Sequence, residues 1–213
     1  MEYLTWPIFR AAIAAFLSLH PLITSSATAQ QPNCNEMGNL NQAQMNQCAA
    51  IFYQEVDKKL NQVYQQLPAA TREQLTDTQL AWIKFRDDSC AFYKSLFEGG
   101  TIMPTIFYGC LTSVTKKRTA ELDAYRLGQI FPANGNNYQT VDNRLNQVYQ
   151  QTLNRFSSYR EQLIDAQLAW IDFRDANCAF ESNLVNGGRN ICMMRLTEMR
   201  TQELVDIQEM IPD

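Results

Sequence analysis

Histidine is almost absent from this chain of 213 residues: the one that occurs is His20. It sits in an N-terminal stretch expected to be removed, so residues 30–213 carry none. That excludes a Ser-His-Asp triad, a Cys-His pair and histidine-ligated zinc from the mature chain. No C-x-x-C occurs, and neither G-x-x-x-x-G-K-[ST] nor G-x-G-x-x-G is present to cradle a phosphate. No metal and no cofactor are therefore expected. Long apolar runs are lacking too. The apolar stretch at 11–22 is too short to span a bilayer. It follows Arg10 and leads to small residues ending Ala27-Thr28-Ala29, the order of a secretory signal peptide. We read residues 1–29 as that signal, with cleavage after Ala29. Polar Gln31-Pro32-Asn33 precedes Cys34, where a lipoprotein would need small apolar residues. No membrane association is expected once the signal is gone.

No basic stripe occurs, although the charge is unevenly distributed. The net charge is −4, and it stays there when Glu2 and Arg10 leave with the signal. Residues 34–128 hold ten acids and ten bases, residues 129–213 eleven acids and seven bases, and all six lysines lie in the first half. Without a basic stripe, no nucleic-acid partner is expected.

What the chain does have is a repeat. Val56-Asp57-Lys58-Lys59-Leu60-Asn61-Gln62-Val63-Tyr64-Gln65-Gln66 returns as Val141-Asp142-Asn143-Arg144-Leu145-Asn146-Gln147-Val148-Tyr149-Gln150-Gln151. Gln79-Leu80-Ala81-Trp82-Ile83-Lys84-Phe85-Arg86-Asp87 returns as Gln167-Leu168-Ala169-Trp170-Ile171-Asp172-Phe173-Arg174-Asp175. Cys90, Gly99-Gly100, Cys110 and Arg118 return as Cys178, Gly187-Gly188, Cys192 and Arg200. The chain therefore divides into a first domain at 30–130 and a second, partly degenerate one at 131–213. The join falls in the turn-forming cluster Phe131-Pro132-Ala133-Asn134-Gly135-Asn136-Asn137.

The fold class is all-α, two tandem three-helix units. Met45, Cys48, Phe52, Val56, Leu60 and Val63 step by three or four, which predicts a first helix over 42–66 that Pro68 ends. Thr71-Arg72-Glu73-Gln74 reads as a capping box with Thr71 as N-cap. The second helix should run to about residue 97, Pro104 should keep the following loop irregular, and the third helix should cover 108–129. Leu111, Val114, Leu122 and Tyr125 should form its inner face. No sustained period-2 alternation marks a strand.

There are six cysteines, and duplication decides their pairing. The second copy keeps only Cys178 and Cys192, so these pair. By equivalence Cys90 pairs with Cys110, which leaves Cys34 for Cys48. Units this small need such staples. Each closes a loop of about 15 to 20 residues, worth roughly 3 kcal/mol in the chain-entropy account.

Gln79, Trp82, Arg86 and Cys90 share one helix face, as do Gln167, Trp170, Arg174 and Cys178. One reading is a ligand-binding face. The other is a semi-buried network in which Arg86 pairs with a carboxylate such as Asp57, while Gln79 and Asn61 find partners. The cost of an unpaired buried arginine favours the network. We treat Asn61, Tyr64, Gln79, Trp82, Arg86 and Asp87, with Asn146, Tyr149, Gln167, Trp170, Arg174 and Asp175, as a repeated structural motif. The glycine-rich tips are the candidate partner contacts: Gly99 and Gly100 in one copy, Gly187, Gly188 and Arg189 in the other. Glycine after a helix is equally a plain terminator. Adjacent Asp87 and Asp88 point to different helix faces and make a poor acid/base pair. No catalytic residue is assigned, and the protein is not read as an enzyme.

The pattern Cys34…Cys48, Asp57-x-x-Leu60-Asn61-x-x-Tyr64, Gln79-x-x-Trp82-x-x-x-Arg86-Asp87-x-x-Cys90, Gly99-Gly100…Cys110…Arg118-x-x-Glu121-Leu122 resembles the LprI-type lysozyme-inhibitor N-terminal domain family. The second copy lacks counterparts of Cys34 and Cys48, yet keeps the ending Arg200-x-x-Glu203-Leu204. The resemblance implies an exported bacterial protein, periplasmic or secreted. It also implies a protein partner, a lysozyme-type muramidase. The alternative is a cell-envelope interaction or structural module without inhibitory activity.

Overall fold

The structure, a computed structural model, describes residues 32–134 and 137–211. The signal segment expected at 1–29 and its cleavage site lie outside them. Six helices follow one another: α1 (Gln42–Gln66), α2 (Ala69–Ser95), α3 (Met103–Arg126), α4 (Tyr138–Arg155), α5 (Arg160–Glu181) and α6 (Gly188–Met210), and no strand occurs among the described residues. Short 3-10 turns stand at Met37–Asn39 and Ser157–Tyr159. The chain is all-α, as the periodicity predicts.

Local chemistry sets the helix ends, in two places differently from expectation. The capping box lies at the start of α1, where Asn41 Oδ1 accepts from the Gln44 amide at 3.0 Å and Gln44 Oε1 accepts from the Asn41 amide at 3.0 Å. Thr71 is not an N-cap: α2 has already begun at Ala69, behind an extended Pro68. The neighbouring Arg72 folds back instead, its Nη1 donating to the carbonyls of Gln65 at 2.7 Å and Leu67 at 3.0 Å. That guanidinium satisfies carbonyls left open at the end of α1. Pro104 also corrects the reading. It sits in the first turn of α3, where its missing amide costs nothing and its fixed φ suits a helix. The helix therefore starts at Met103 rather than 108. It stops at Arg126 because Gly128 adopts φ +67°. The amides of Gly128 and Gln129 then bond to the carbonyls of Tyr125 at 3.0 Å and Ala124 at 2.9 Å, a left-handed closure that favours glycine.

Three disulfides pair as duplication requires, with Cα separations of 5.5, 5.5 and 5.3 Å for Cys34–Cys48, Cys90–Cys110 and Cys178–Cys192. They tie the N-terminal arm to α1, α2 to α3, and α5 to α6. In the first copy α1 packs on α3, in the second α4 packs on α6, and α2 lies along α5. The two copies thereby share one hydrophobic core, which runs from Leu60 and Val63 through Phe85 and Phe173 to Leu204 and Ile207. Pro32–Asp213 forms one compact unit. A shared core relieves the thin margin that about 90 residues alone would have.

Candidate functional site

The seam between α2 and α5 centres on Phe85 and Phe173, stacked with ring centroids 5.6 Å apart and planes within 2°. These two residues are equivalent in the repeat, so the contact is self-complementary, the pattern of a twofold interface. The flanking polar groups obey the same reciprocity. Arg118 Nε donates to Gln79 Oε1 at 3.0 Å, and Arg200 Nε donates to Gln167 Oε1 at 3.0 Å. Arg118 Nη1 crosses the seam to Asn177 Oδ1 at 2.8 Å, while Arg200 Nη1 crosses to Ser89 Oγ at 3.4 Å. Each guanidinium lies over the opposite phenylalanine, Arg118 5.4 Å from Phe173 and Arg200 5.6 Å from Phe85. Each also pairs with the glutamate one turn on, Glu121 at 3.0 Å and Glu203 at 3.4 Å.

Around Arg195, groups of both halves extend this into a buried ionic cluster. Arg195 Nη1 binds Glu121 and its Nη2 binds Glu181, each at 2.5 Å. Tyr125 donates to Glu181 at 2.5 Å, and Asn177 Nδ2 donates to the same oxygen at 3.0 Å. All of these side chains are buried. Burial raises the Glu181 pKa above its ordinary value, with Arg195 and the Tyr125 hydrogen bond pulling the other way. Burial also disfavours the Arg195 charge, but Glu121 and Glu181 outweigh it and hold that pKa above the usual guanidinium range. Tyr125 is likewise raised, first by burial and next by Glu121. Such a cluster makes removal of any one member costly.

The repeated motif is split by the fold. Gln79 and Gln167 turn to the seam arginines, whereas Arg86 and Arg174 lie half-buried against the tryptophans. Arg86 caps the buried Trp82 at 5.1 Å and Arg174 caps Trp170 at 4.9 Å. Asp87 and Asp175 hold these guanidiniums at 2.8 Å. Asp57 stands 3.6 Å from Arg86. Asn61 Nδ2 donates to Asp57 Oδ2, and Asn146 Nδ2 to Asp142 Oδ2, both at 3.1 Å. Tyr64 donates to the Arg72 carbonyl at 3.2 Å. Tyr149 is half-buried against the core. Beside each tryptophan an apolar residue faces solvent, Leu80 at 61% and Leu168 at 56% exposure.

The glycine tips differ between copies. Gly99 has φ +78° and Gly187 φ +75°. A Cβ on Gly188 would lie 2.3 Å from the Glu181 carbonyl oxygen, so α6 starts in direct contact with the end of α5. Gly100 is less tight, its added Cβ meeting the Phe97 carbonyl oxygen at 3.2 Å. The first tip is braced from α1, where Asn46 Nδ2 donates to the Thr101 carbonyl at 2.9 Å. Among the described residues the second tip has no such brace, and α4 begins only at Tyr138. Arg189 follows it, exposed, with no carboxylate partner among the described residues.

Comparison with known proteins follows this duplicated geometry. The family model "Lysozyme inhibitor LprI" matches in two segments, residues 34–122 and 133–204. The chain belongs to the LprI lysozyme inhibitor family. The two LprI segments end at equivalent residues, Leu122 and Leu204, and together contain all three disulfides. An uncharacterized protein of Rhizobium meliloti (strain 1021) is 34% identical over 128 residues, which cover 52% of this chain and 92% of that protein. The crystal structure of an uncharacterized protein from Burkholderia thailandensis matches with TM-score 0.61 at 19% identity. It covers 81% of this chain and 91% of that one, a likeness of fold. No described helix of this LprI chain is long and apolar enough to cross a membrane.

Sequence reasoning missed Arg195, Glu181 and Asn177, and placed Tyr125 on an inner face without its hydrogen bonds. The signal lay in the mismatches of the LprI repeat rather than its matches. Three residues after the bridging cysteines, Arg195 replaces Ser113 and Glu181 replaces Tyr93.

Proposed function

We propose that residues 30–213 act outside the cytoplasm as a protein inhibitor of lysozyme-type muramidases, by binding and not by catalysis. The observation that carries this is the LprI match running through both halves of one stapled body. Three disulfides suit an oxidising compartment, periplasm or medium, and the segment at 1–29 has the composition to direct export. The adjacent carboxylates are both ion-paired, Asp87 with Arg86 and Asp88 with Lys84.

Muramidases of the lysozyme type work with two carboxylates in a cleft. A rigid protrusion carrying a cation complements such a cleft. Our candidate for that cation is Arg189, exposed beside Gly188 at the start of α6. The test is lysis of peptidoglycan by several lysozyme types in the presence of purified 30–213. Inhibition that weakens in Arg189→Ala supports the reading and its placement. No inhibition of any type at large molar excess overturns it.

A second reading, an envelope-binding module without inhibitory activity, draws on the exposed pair Leu80 and Leu168 at equivalent places. Two like surfaces raise avidity without new contacts. Capture of one non-hydrolase envelope protein, lost in Leu80→Asp/Leu168→Asp, would favour it.

A further inference from the structure

Between α2, α3 and α6 lies a cavity whose counterpart across the repeat is filled by Arg195. The cavity measures about 440 Å³ and lies beside the Cys90–Cys110 bridge, with Tyr93, Ser113, Lys117, Arg200, Glu203 and Asp206 among its lining. Counted from the bridging cysteines and the seam arginines, each wall has a counterpart. Ser113 stands where the second half has Arg195, Tyr93 where it has Glu181, Gly109 where it has Ile191, and Glu203 where it has Glu121. In the second half the Arg195 guanidinium occupies this space, 2.5 Å from each of Glu121 and Glu181. In the first half the arginine is cut back to serine. The wall beside it is opened by Gly109, where an added Cβ would meet nothing within 4 Å. The acceptor Glu203 is retained. Exposed Asp206 brings a second carboxylate to the lining, at the position of Ala124 in the other half.

We infer that this cavity receives an arginine side chain of a protein partner, its guanidinium standing by Glu203 as Arg195 stands by Glu121. The chain itself displays the occupant chemistry in its related half. Glu203 is held meanwhile by Lys117, Nζ to Oε1 at 2.9 Å, with the lysine side chain 45% exposed and the glutamate 16%. A lysine returning to water gives up little. The incoming guanidinium offers a planar pair of donors that an ammonium lacks. Its methylene stem would pack along Ile106, Val114 and Met210, which also line the cavity. The volume falls within the range of pockets that enclose whole ligands, about 300–1,000 Å³, so it has room for the stem as well as the head.

This inference rests on reading the chain as a protein-binding module, but it does not need the partner to be a muramidase. The probe is butylguanidinium, titrated into purified 30–213 by calorimetry and by amide NMR, with butylammonium as comparison. Saturable binding of butylguanidinium is expected, with shifts centred on Tyr93 and Ser113. Two variants copy the second half and should block it. Ser113→Arg refills the cavity and Gly109→Ile closes its wall, each weakening the probe by about tenfold or more. A third, Lys117→Met, removes the resident cation as Met199 does in the other half, and should tighten binding by about two- to fivefold, the worth of an exposed ion pair. Absence of saturable binding, equal affinity for butylammonium, or unchanged affinity in both blocking variants would overturn the inference. Lysis assays separate it from the inhibitor reading. If Ser113→Arg inhibits a lysozyme as well as the parent and butylguanidinium shows no saturable binding, the inference falls while that reading stands. If the probe binds in the cavity and no lysozyme is inhibited, the inference stands and that reading falls.

Discussion

Replacing Arg195 by methionine should destabilise the protein by an amount that grows with pH. Arg195 joins Glu121 and Glu181 at 2.5 Å each, in a buried cluster. Methionine conserves much of the volume and removes the charge. Glu121 keeps Arg118 at 3.0 Å, but Glu181 is left with only the neutral donors Tyr125 and Asn177. Breaking one side of a buried pair costs about 3–5 kcal/mol. In a chain of this size that is about 6–20 °C in Tm. The pH dependence follows from Glu181. Its pKa in the folded protein already lies above the ordinary carboxylate value, burial being the larger cause and Arg195 the main opposing one. A group shifted upward favours the folded state most when protonated. Its contribution is full below the ordinary carboxylate range and is lost as pH rises into the raised value. Without Arg195 the shift grows, so the loss should be small near about pH 4 and large near about pH 7. Thermal melts of parent and Arg195→Met across that range measure it. Adding Glu181→Leu should recover most of the loss at neutral pH, because an apolar pair replaces a buried charge. A Tm difference independent of pH, or no recovery in the double variant, would refute the argument.

Gly188→Ala should cost about 3 kcal/mol, since its Cβ would lie 2.3 Å from the Glu181 carbonyl oxygen and backbone must move. Gly99→Ala, at φ +78° in open space, should cost only the left-handed backbone penalty of about 1–2 kcal/mol. Urea titration of the two variants gives the contrast. Asn41→Ala removes one arm of the capping box on α1 and should lower stability by about 1 kcal/mol in the same assay. Replacing Cys178 and Cys192 by serine opens a bridge of sequence separation 14 and should cost roughly 3 kcal/mol, read as a shift of the denaturation midpoint. Peptide mapping without reductant should recover Cys34 with Cys48, Cys90 with Cys110 and Cys178 with Cys192.

Much of the architecture was legible because the sequence says it twice. The helix over Gln42–Gln66 follows from one apolar stripe and Pro68, and the three bridges follow from the second copy's having only two cysteines. Boundaries decided by a competing local interaction were not legible. Pro104 looks like a loop residue until it is seen in a first turn, where it suits a helix, and Thr71 looks like a cap until Arg72 is seen capping the previous helix. The site suffered in another way. Repetition draws attention to shared residues such as Gln79 and Trp82, and these serve both halves alike. Arg195, Glu181 and the open space around Ser113 lie where the copies disagree, and their meaning depends on a reciprocal packing that no spacing rule describes.

The face-to-face rings of Phe85 and Phe173 make each half the other's missing wall. Among its described residues the segment joining them adds only flanking contacts, Ile130 against the core and the Asn134 amide to Glu198 at 3.1 Å, so its main effect is to bring the halves together at high local concentration. A chain severed there would remain one molecule in solution, and the two pieces made separately would seek each other out. Either piece by itself would show water the flank of α2 or α5 and clump. Fusion thus guarantees that two now unequal partners always meet each other and never a second copy of themselves.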